Sequence, residues 1–225
     1  QEDSSIYKKV SDVIPELEKI IECIVAAFNS GGKLYYVGCG TSGRLGILDA
    51  VECPPTFSTS AKMINGIIAG GNKALIQSIE NAEDSKIDGK NIINKFVTNK
   101  DVVIGISASG AATYVISALR QSKSINATTC LICCNSNEKL HFIDFIIPVI
   151  VGPEIITGST RMKAGTATKM ILNMISTTSM IKINKTYGNL MVDLKISNNK
   201  LLDRGIRIIK ELTNLSYERS HNLLI

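Results

Sequence analysis

The sequence has no tryptophan, only 5% aromatic residues and no long uninterrupted hydrophobic run. One of its longest apolar stretches, residues 142–151, is broken by Asp144 and Pro148. No run reaches the roughly 18 to 20 residues that a membrane-spanning helix needs. Residues 1–15 contain acidic residues and lysines where a signal peptide has an apolar segment. We therefore expect neither a membrane span nor a secretory signal.

The chain also lacks a strong charge excess. Its 25 lysines and arginines against 20 aspartates and glutamates leave a formal net charge of +5, without a basic run or interleaved aromatic residues. A nucleic-acid partner is therefore not expected. The 44% of hydrophobic residues excludes a disordered chain, and 225 residues allow one large domain or one domain and a fragment.

Histidines and paired cysteine motifs are scarce as well. The spacing of Cys130 and Cys133 is formally that of a redox or zinc half-site, but no second pair exists among the six cysteines. The two histidines, His141 and His221, lie outside this motif. The spacings favour buried cysteines in strands over a redox or zinc site, so we expect no disulfide framework and a reducing cytoplasm.

Helical and strand-like patterns alternate along the chain. A spacing of apolar residues near 3.6 and helix start and stop signals predict helices at residues 6–29, 43–52, 72–81, 113–123, 161–182 and 200–213. The pair Pro54-Pro55 is expected to end the second of these helices. Runs dominated by apolar and β-branched residues predict strands at residues 33–38, 63–69, 101–107, 128–134 and 143–149. The prediction is an α/β, doubly wound domain with a five-stranded parallel sheet flanked by helices.

Three loops rich in glycine and hydroxyl residues follow this pattern, at residues 39–43, 107–110 and 158–160. Ligands of doubly wound sheets bind beyond the carboxyl ends of the strands, where such loops meet. Glycine permits close backbone approach, and free N–H groups at a helix N-terminus attract anions. The alternative is ordinary helix capping, for which Ser, Thr and Gly are favoured anyway.

Three cations accompany these loops. Arg44, Arg161 and Lys163 fall in first helical turns, where positive charge opposes the helix dipole and a bound phosphate would remove the conflict. The spacing of glycines over residues 38–43 formally matches a dinucleotide fingerprint, but no acidic residue ends the second strand about 20 residues later. The sequence therefore favours a phosphate ester over a dinucleotide.

The candidate acid and base are carboxylates, because no Ser-His-Asp order presents itself. Glu52 lies near the end of the helix after the first loop, and Glu83 follows the second strand and the predicted helix at residues 72–81. Two carboxylates in one pocket can divide acid and base roles if their environments separate their pKa values. The alternative is that each is a solvated surface residue, and the spacing does not decide whether they meet.

Six longer motifs are spread over nearly the whole chain. They are GTSGRLGILD (40–49), ECPPT (52–56), IIAGG (67–71), AED (82–84), TGSTRMKAGTA (157–167) and YGNLMVD (187–193). With these motifs the chain resembles the N-acetylmuramic acid 6-phosphate etherases, which belong to the sugar-isomerase (SIS) fold family. The related glucokinase regulatory proteins share parts of the fourth and fifth motifs but look less similar elsewhere.

The resemblance implies a cytoplasmic homodimer without metal or redox cofactor. It would remove D-lactate from a small sugar phosphate, N-acetylmuramic acid 6-phosphate, and give N-acetylglucosamine 6-phosphate. A base takes the proton at C2, an acid helps the lactyl oxygen leave C3, and water then adds at C3. By analogy Glu52 is the acid and Glu83 the base, although these roles could exchange. The substrate-binding residues that the resemblance implies are Gly40, Thr41, Ser42, Ser107, Ser109, Gly110 and Ser159.

One loop departs from the family pattern. After residues 109–110 the etherases usually continue Arg-Thr-Pro-Tyr, whereas this chain has Ala-Ala-Thr-Tyr at residues 111–114. If the lost arginine contacts phosphate, its bond is worth about 1.5–3 kcal/mol, and affinity falls roughly tenfold to more than a hundredfold. If it serves a helix surface or the dimer, its loss is neutral. The departure motivates an alternative function, that of a non-catalytic sugar-phosphate-binding protein resembling glucokinase regulatory protein.

The resemblance also implies a division of the chain. Residues 1–215 would form the SIS domain, and residues 216–225 would begin a helical C-terminal domain that is cut short. Family members carry more chain at both ends. No helix-turn-helix module is visible in the sequence, which argues against a sugar-sensing transcription regulator.

Overall fold

The computed structural model describes residues 2–135, 140–194, 196 and 198–225. Its strands are β1 Leu34–Gly38, β2 Ile64–Ile68, β3 Val102–Ile106, β4 Thr128–Cys133 and β5 Phe145–Pro148. They form one sheet in the order β2-β1-β3-β4-β5, and all neighbouring strands run parallel. The predicted five-stranded parallel sheet and the place of each strand in the sequence are confirmed.

Helices cover both faces of the sheet, as a doubly wound fold requires. They are α1 Ile6–Ser11, α2 Ile14–Asn29, α3 Gly40–Phe57, α4 Lys86–Phe96, α5 Thr113–Ser124, α6 Lys163–Lys182, α7 Asn199–Thr213 and α8 Tyr217–Leu224. One core joins α2, α3 and α6 to Tyr36 and Ile104, and a second joins α4 and α5 to Tyr35 and Val103. Successive strand residues enter opposite cores, which explains why the strands are apolar on both faces. None of the helices formed by the described residues has the length and apolar character required to span a membrane.

The predicted helix over residues 6–29 is divided at residues 12 and 13. Pro15 lies in the first turn of α2, where the missing proline N–H is not needed. Within a continuous helix the same ring would clash with the carbonyl of Ser11 and leave it without a donor. Pro15 alone therefore explains why the predicted helix is divided into α1 and α2.

The helix α3 is longer than predicted, because it continues through Pro54 and Pro55 to Phe57. The φ angle of proline is compatible with a helix, although each ring removes an N–H that would donate to a carbonyl one turn earlier. Cys53 and Phe57 are buried and attach the last turn of α3 to the core. The expectation that the proline pair ends the helix was wrong.

Residues 72–81 do not form the predicted helix. Short 3₁₀ turns span Gly71–Leu75 and Ala82–Asp84. Within residues 72–81 only Ala74 is buried, so an α-helix here has no apolar face to pack. An unpredicted helix, α4, follows instead, and Ser85 caps it by accepting the N–H of Asp88 at 3.3 Å. Glu83 consequently lies in an irregular segment.

The strand order reverses between β1 and β3, since β2 lies on the other side of β1. Gly38, the last residue of β1, pairs with Ile68 of β2 and Ile106 of β3. In open α/β sheets, ligands bind beyond the carboxyl ends of the strands at this reversal. We call this place the switch-point edge, and the loops after β1 and β3 meet there.

The last two helices pack against each other. A Cβ atom added to Gly205 of α7 would lie 2.9 Å from Cδ2 of Leu224 of α8. The predicted division between residues 215 and 216 falls between these helices, and it stays a prediction.

Candidate functional site

The loop after β1 leads directly into α3. Gly40 has a φ of +50°, a left-handed conformation that favours glycine, and no side chain caps the start of the helix. Gly43 packs so tightly that an added Cβ would lie 2.6 Å from Cγ1 of Ile68. Thr41 and Ser42 lie partly buried in this first turn. The start of α3 therefore presents uncapped N–H groups and two hydroxyls, a combination suited to an anion.

The loop after β3 holds two serine hydroxyls side by side. Ser107 is buried, Ser109 is exposed, and their Oγ atoms are 3.4 Å apart. Ser109 Oγ accepts the N–H of Ala111 at 3.2 Å, and Ser107 Oγ accepts the N–H of Ala112 at 3.3 Å. Gly110 turns the chain with a φ of +70°. Because a hydroxyl that accepts an N–H keeps its own proton, this pair retains at least one O–H to donate to a ligand.

The third loop reaches the same region. A Cβ atom added to Gly165, near the start of α6, would lie 3.8 Å from Cγ2 of Thr41 and from the carbonyl oxygen of Thr160. The start of α6 therefore lies beside the start of α3. Ser159 is partly buried, and its N–H donates to the carbonyl of Ile156 at 3.0 Å. The fold brings all three predicted loops to one region.

The N-terminus of α6 differs from that of α3 because a carboxylate of the chain already caps it. Glu154 accepts the N–H of Lys163 with Oε2 and the N–H of Ala164 with Oε1, both at 2.9 Å. The ammonium of Lys163 pairs with Oε2 of Glu2 at 2.5 Å. Two groups that the sequence suggested for phosphate, the start of α6 and Lys163, thus have partners within the chain.

A cavity of about 310 Å³ opens beside the first turn of α3. Glu83 lines it together with Gly40, Arg44 and Cys39. Burial, followed by the charges of Glu83 and Asp84, raises the pKa of the Cys39 thiol to about 12. This thiol stays protonated near neutral pH and is no nucleophile there. Glu83 is exposed to the cavity and is the predicted catalytic carboxylate that the fold places at the switch-point edge.

Arg44 projects from the same turn of α3 into this cavity. Its Nε donates to the carbonyl of Leu75 at 3.1 Å, and its Nη2 donates to the carbonyl of Gln77 at 2.9 Å. These carbonyls belong to the irregular segment that carries Glu83. The sequence suggested Arg44 for phosphate, whereas in the structure the guanidinium binds the backbone of the chain.

Glu52 lies elsewhere. It is exposed on α3, twelve residues after Gly40, which corresponds to about 18 Å along the helix axis. Among the described residues that line the cavity beside Glu83, Glu52 does not occur. One copy of the chain therefore does not bring the two glutamates into one pocket.

The turn of α3 before Glu52 is fixed by a buried carboxylate. Asp49 accepts the hydroxyl of Tyr36 at 3.2 Å and the ammonium of Lys169 at 3.1 Å. Burial raises the pKa of Asp49, although Lys169 opposes this shift. The Asp49–Lys169 pair ties α3 to α6 and holds the face that exposes Glu52 and Val51.

A second cavity, of about 390 Å³, lies between α3 and α6 on this side. Arg161 and Lys169 line it with Thr41 and Asn173. Of the three cations suggested for phosphate, Arg161 is the one for which the described residues give no partner within the chain. It is exposed, beside the predicted binding residue Thr41.

The departure from the family pattern lies at the start of α5. Ala111 is exposed and lines a cavity of about 400 Å³ together with Lys86, Thr113 and Arg120. An arginine at position 111 would therefore add a third cation to a region that already holds two. This neighbourhood was not predictable, because Lys86 belongs to the unpredicted helix α4.

Histidines, cysteines and carboxylates do not gather into a metal site in the part of the chain that the structure describes. Asp193 pairs with Lys185 at 2.7 Å, so it is engaged within the chain. The cysteines among the described residues are all unpaired thiols.

Two family models match the chain. The N-terminal SIS domain of glucokinase regulatory protein matches residues 16–123, and the C-terminal lid domain of the same protein matches residues 188–225. The second match starts before the predicted division at residues 215 and 216. Among solved structures, the phosphoheptose isomerase from Neisseria gonorrhoeae has the same fold, with a TM-score of 0.60 and 14% identity over 79% of this chain and 92% of that one. The phosphoheptose isomerase from Francisella tularensis covers 78% of this chain and 93% of its own with a TM-score of 0.56 and 14% identity.

Relatives of about 50% identity are named N-acetylmuramic acid 6-phosphate etherases. The N-acetylmuramic acid 6-phosphate etherase of Bacillus subtilis is 49% identical over 225 residues, which cover 99% of this chain and 74% of that enzyme. The etherase of a Geobacillus species is 51% identical over 217 residues, 96% of this chain and 74% of its own. Matches of this extent include the β1–α3 loop, the segment of Glu83 and the start of α6. The chain is therefore a member of the N-acetylmuramic acid 6-phosphate etherase family, with an SIS fold.

Proposed function

We propose that this protein is a carbon–oxygen lyase that cleaves the D-lactyl ether of N-acetylmuramic acid 6-phosphate. The observation that carries the proposal is the cavity at the switch-point edge, where the carboxylate of Glu83 lies beside the uncapped start of α3. The relatives that bear the etherase name share about half of their residues with nearly the whole chain. The products are N-acetylglucosamine 6-phosphate and D-lactate.

The phosphate and the sugar hydroxyls bind at the three loops. The N–H groups at the start of α3 and the hydroxyls of the first and second loops supply the donors, and glycines permit close approach of the backbone. The residues proposed for binding are Gly40, Thr41, Ser42, Ser107, Ser109, Gly110 and Ser159. Arg161, a cation beside Thr41, supplies positive charge near this region.

The reaction is an elimination followed by an addition, and it uses two carboxyl groups. The carboxylate of Glu83 takes the proton from C2, which the C1 aldehyde of the open-chain sugar acidifies. The C2–C3 double bond forms as the C3–O bond breaks, and the carboxylic acid of Glu52 protonates the departing lactate oxygen. Water then adds its oxygen to C3 and a proton returns to C2. The two glutamates could exchange these roles, and no step requires a metal or a redox cofactor.

The position of Glu52 leads us to propose a homodimer with composite sites. Within one copy, Glu52 lies about 18 Å along α3 from the loop beside Glu83. A two-fold dimer that buries the exposed apolar residues Leu48 and Val51 of α3 would carry Glu52 of one copy toward the cavity of the other. Each dimer would then have two sites, and each site would use both chains.

We place the reaction in the cytoplasm, where unpaired thiols remain reduced. For the chain itself we propose an SIS domain over residues 1–215 and a helical C-terminal part from residue 216. The lid-domain match from residue 188 favours an earlier boundary. Limited proteolysis decides between them: first cleavage near residues 214–216 supports the proposed division, whereas first cleavage before α7 contradicts it.

The test of the proposed activity is release of D-lactate from N-acetylmuramic acid 6-phosphate. Glu83→Gln and Glu52→Gln should each lower kcat by at least about 10²-fold, because each removes an acid–base group. Glu211→Gln, which changes an exposed carboxylate on α7, is the matched control and should retain full activity. No lactate from a folded wild-type dimer would falsify the proposal.

The same experiment tests the regulatory alternative, which the etherase relatives of about 50% identity disfavour, although both matching family models describe domains of glucokinase regulatory protein. A regulator would bind hexose 6-phosphates saturably without turnover. A thermal-shift series over several hexose 6-phosphates separates the two functions. Stabilisation by the muramic compound with turnover supports the lyase, and stabilisation by several sugars without turnover supports the regulator.

A further inference from the structure

The segment over residues 71–84, which we call the Glu83 segment, is weakly attached to the rest of the fold. Most of its residues are exposed; Ala74 is buried, and Ala82 is partly buried against the second core. Its backbone hydrogen bonds in the described structure are local, such as the N–H of Gln77 to the carbonyl of Lys73 at 3.0 Å. A segment with so little buried surface needs another contact to hold one conformation.

The guanidinium of Arg44 supplies such a contact at the middle of the segment. Its two hydrogen bonds, to Leu75 and Gln77, join the first turn of α3 to the middle of the Glu83 segment. The same first turn of α3 presents the uncapped N–H groups that we propose for phosphate binding. This turn therefore contacts both the phosphate and the Glu83 segment. Lysine, a flexible single ammonium, does not reproduce a planar fork with donors on two nitrogens.

We propose that Arg44 is a positioning residue that holds Glu83 against the bound sugar by fixing the Glu83 segment to α3. This inference rests on the proposed function, because it assigns Arg44 to the geometry of the carboxylate rather than to the phosphate. A misplacement of about 1 Å can cost about 10²-fold in rate. We therefore expect loss of Arg44 to lower kcat by about 10- to 100-fold while KM changes less than about threefold.

The test compares Arg44→Lys and Arg44→Ala with Arg207→Ala. Arg207 is 73% exposed, and its ion-pair partner is Asp203 on the same helix, so it is a matched control. A positioning role predicts that Arg44→Lys loses kcat nearly as Arg44→Ala does, and that inhibition by inorganic phosphate is unchanged in both. If Arg44 instead binds the phosphate, Arg44→Lys retains most activity, and the loss in Arg44→Ala appears in KM and in phosphate inhibition. That result would overturn the inference.

Amide hydrogen exchange of the free protein provides a readout that does not depend on turnover. Exchange of the hydrogen-bonded amides in residues 71–84, such as that of Gln77, should rise at least about tenfold in both Arg44 variants and stay at the wild-type rate in Arg207→Ala. Unchanged exchange in folded Arg44→Lys overturns the inference. If the wild-type protein releases no lactate, the proposed function fails, and the exchange result still decides whether Arg44 holds this segment.

Discussion

Two inactive variants should restore activity when they are mixed, if each active site takes Glu52 from one copy and Glu83 from the other. Glu52→Gln and Glu83→Gln are each inactive as homodimers, because every site lacks one carboxyl group. In a mixed dimer, one site receives both substitutions and the other receives neither. The second site is intact.

The expected magnitude follows from counting sites. Random exchange of equal amounts of the two variants makes about half of the dimers mixed, and each mixed dimer has one intact site of two. The mixture should therefore show about a quarter of the wild-type activity. The structural basis is the separation of about 18 Å along α3, which no side chain spans, between Glu52 and the loop beside the Glu83 cavity.

The assay is D-lactate release after the variants have been co-expressed or unfolded and refolded together. The matched control is a mixture of Glu83→Gln with Ser109→Ala, two substitutions on the same side of the composite site. Such a pair leaves no intact site in any dimer, so mixing should give no gain. Absence of recovery with Glu52→Gln and Glu83→Gln, in a mixture shown to contain mixed dimers, would refute the composite site.

Two further predictions concern residues outside the proposed acid–base pair. If the family's arginine contacts phosphate, Ala111→Arg should lower KM by roughly tenfold or more, because such a hydrogen bond is worth about 1.5–3 kcal/mol. Unchanged KM and kcat would assign that arginine to a surface role. Asp144→Asn should lower stability by about 1 kcal/mol at pH 7, since Asp144 accepts the ammonium of Lys123 and both the N–H and the hydroxyl of Thr129. Burial raises the pKa of Asp144, but these hydrogen bonds outweigh it and hold the pKa below its ordinary value. The greater stability of the wild type over Asp144→Asn is therefore present above about pH 4 and disappears as the pH falls through the lowered pKa of Asp144. Thermal unfolding of both proteins at pH 7, 5 and 3 checks this. A stability difference that persists at pH 3 contradicts it.

The sheet and the site loops were predictable from local pattern. Strands such as β3 are apolar throughout because both faces of the sheet are covered, and glycine with hydroxyl residues after a strand marks the switch-point edge. Residues 72–81 misled the prediction because a helical propensity without an apolar face is insufficient for a stable helix. The helix α4 had a local signal, Ser85 three residues before Asp88, that could have found it.

The spacing of residues in the sequence did not predict which groups the charged side chains contact. Arg44 and the carbonyl of Gln77 are 33 residues apart, and Lys163 and Glu2 are 161 apart, so only the fold brings them together. The same holds for the opposite result, the separation of Glu52 from Glu83. The family resemblance assigned both glutamates to one site and their spacing left open whether they meet, whereas a continuous α3 carries Glu52 away from Glu83.

We propose that the lactyl ether is cleaved by elimination with proton removal at C2. The most direct measurement is the reaction in heavy water, followed by analysis of hydrogen at C2 of the N-acetylglucosamine 6-phosphate that forms. Elimination and rehydration predict one deuterium at C2 in each product molecule. Products that retain the original hydrogen at C2 while D-lactate is released would show direct cleavage without proton removal, and they would contradict this account.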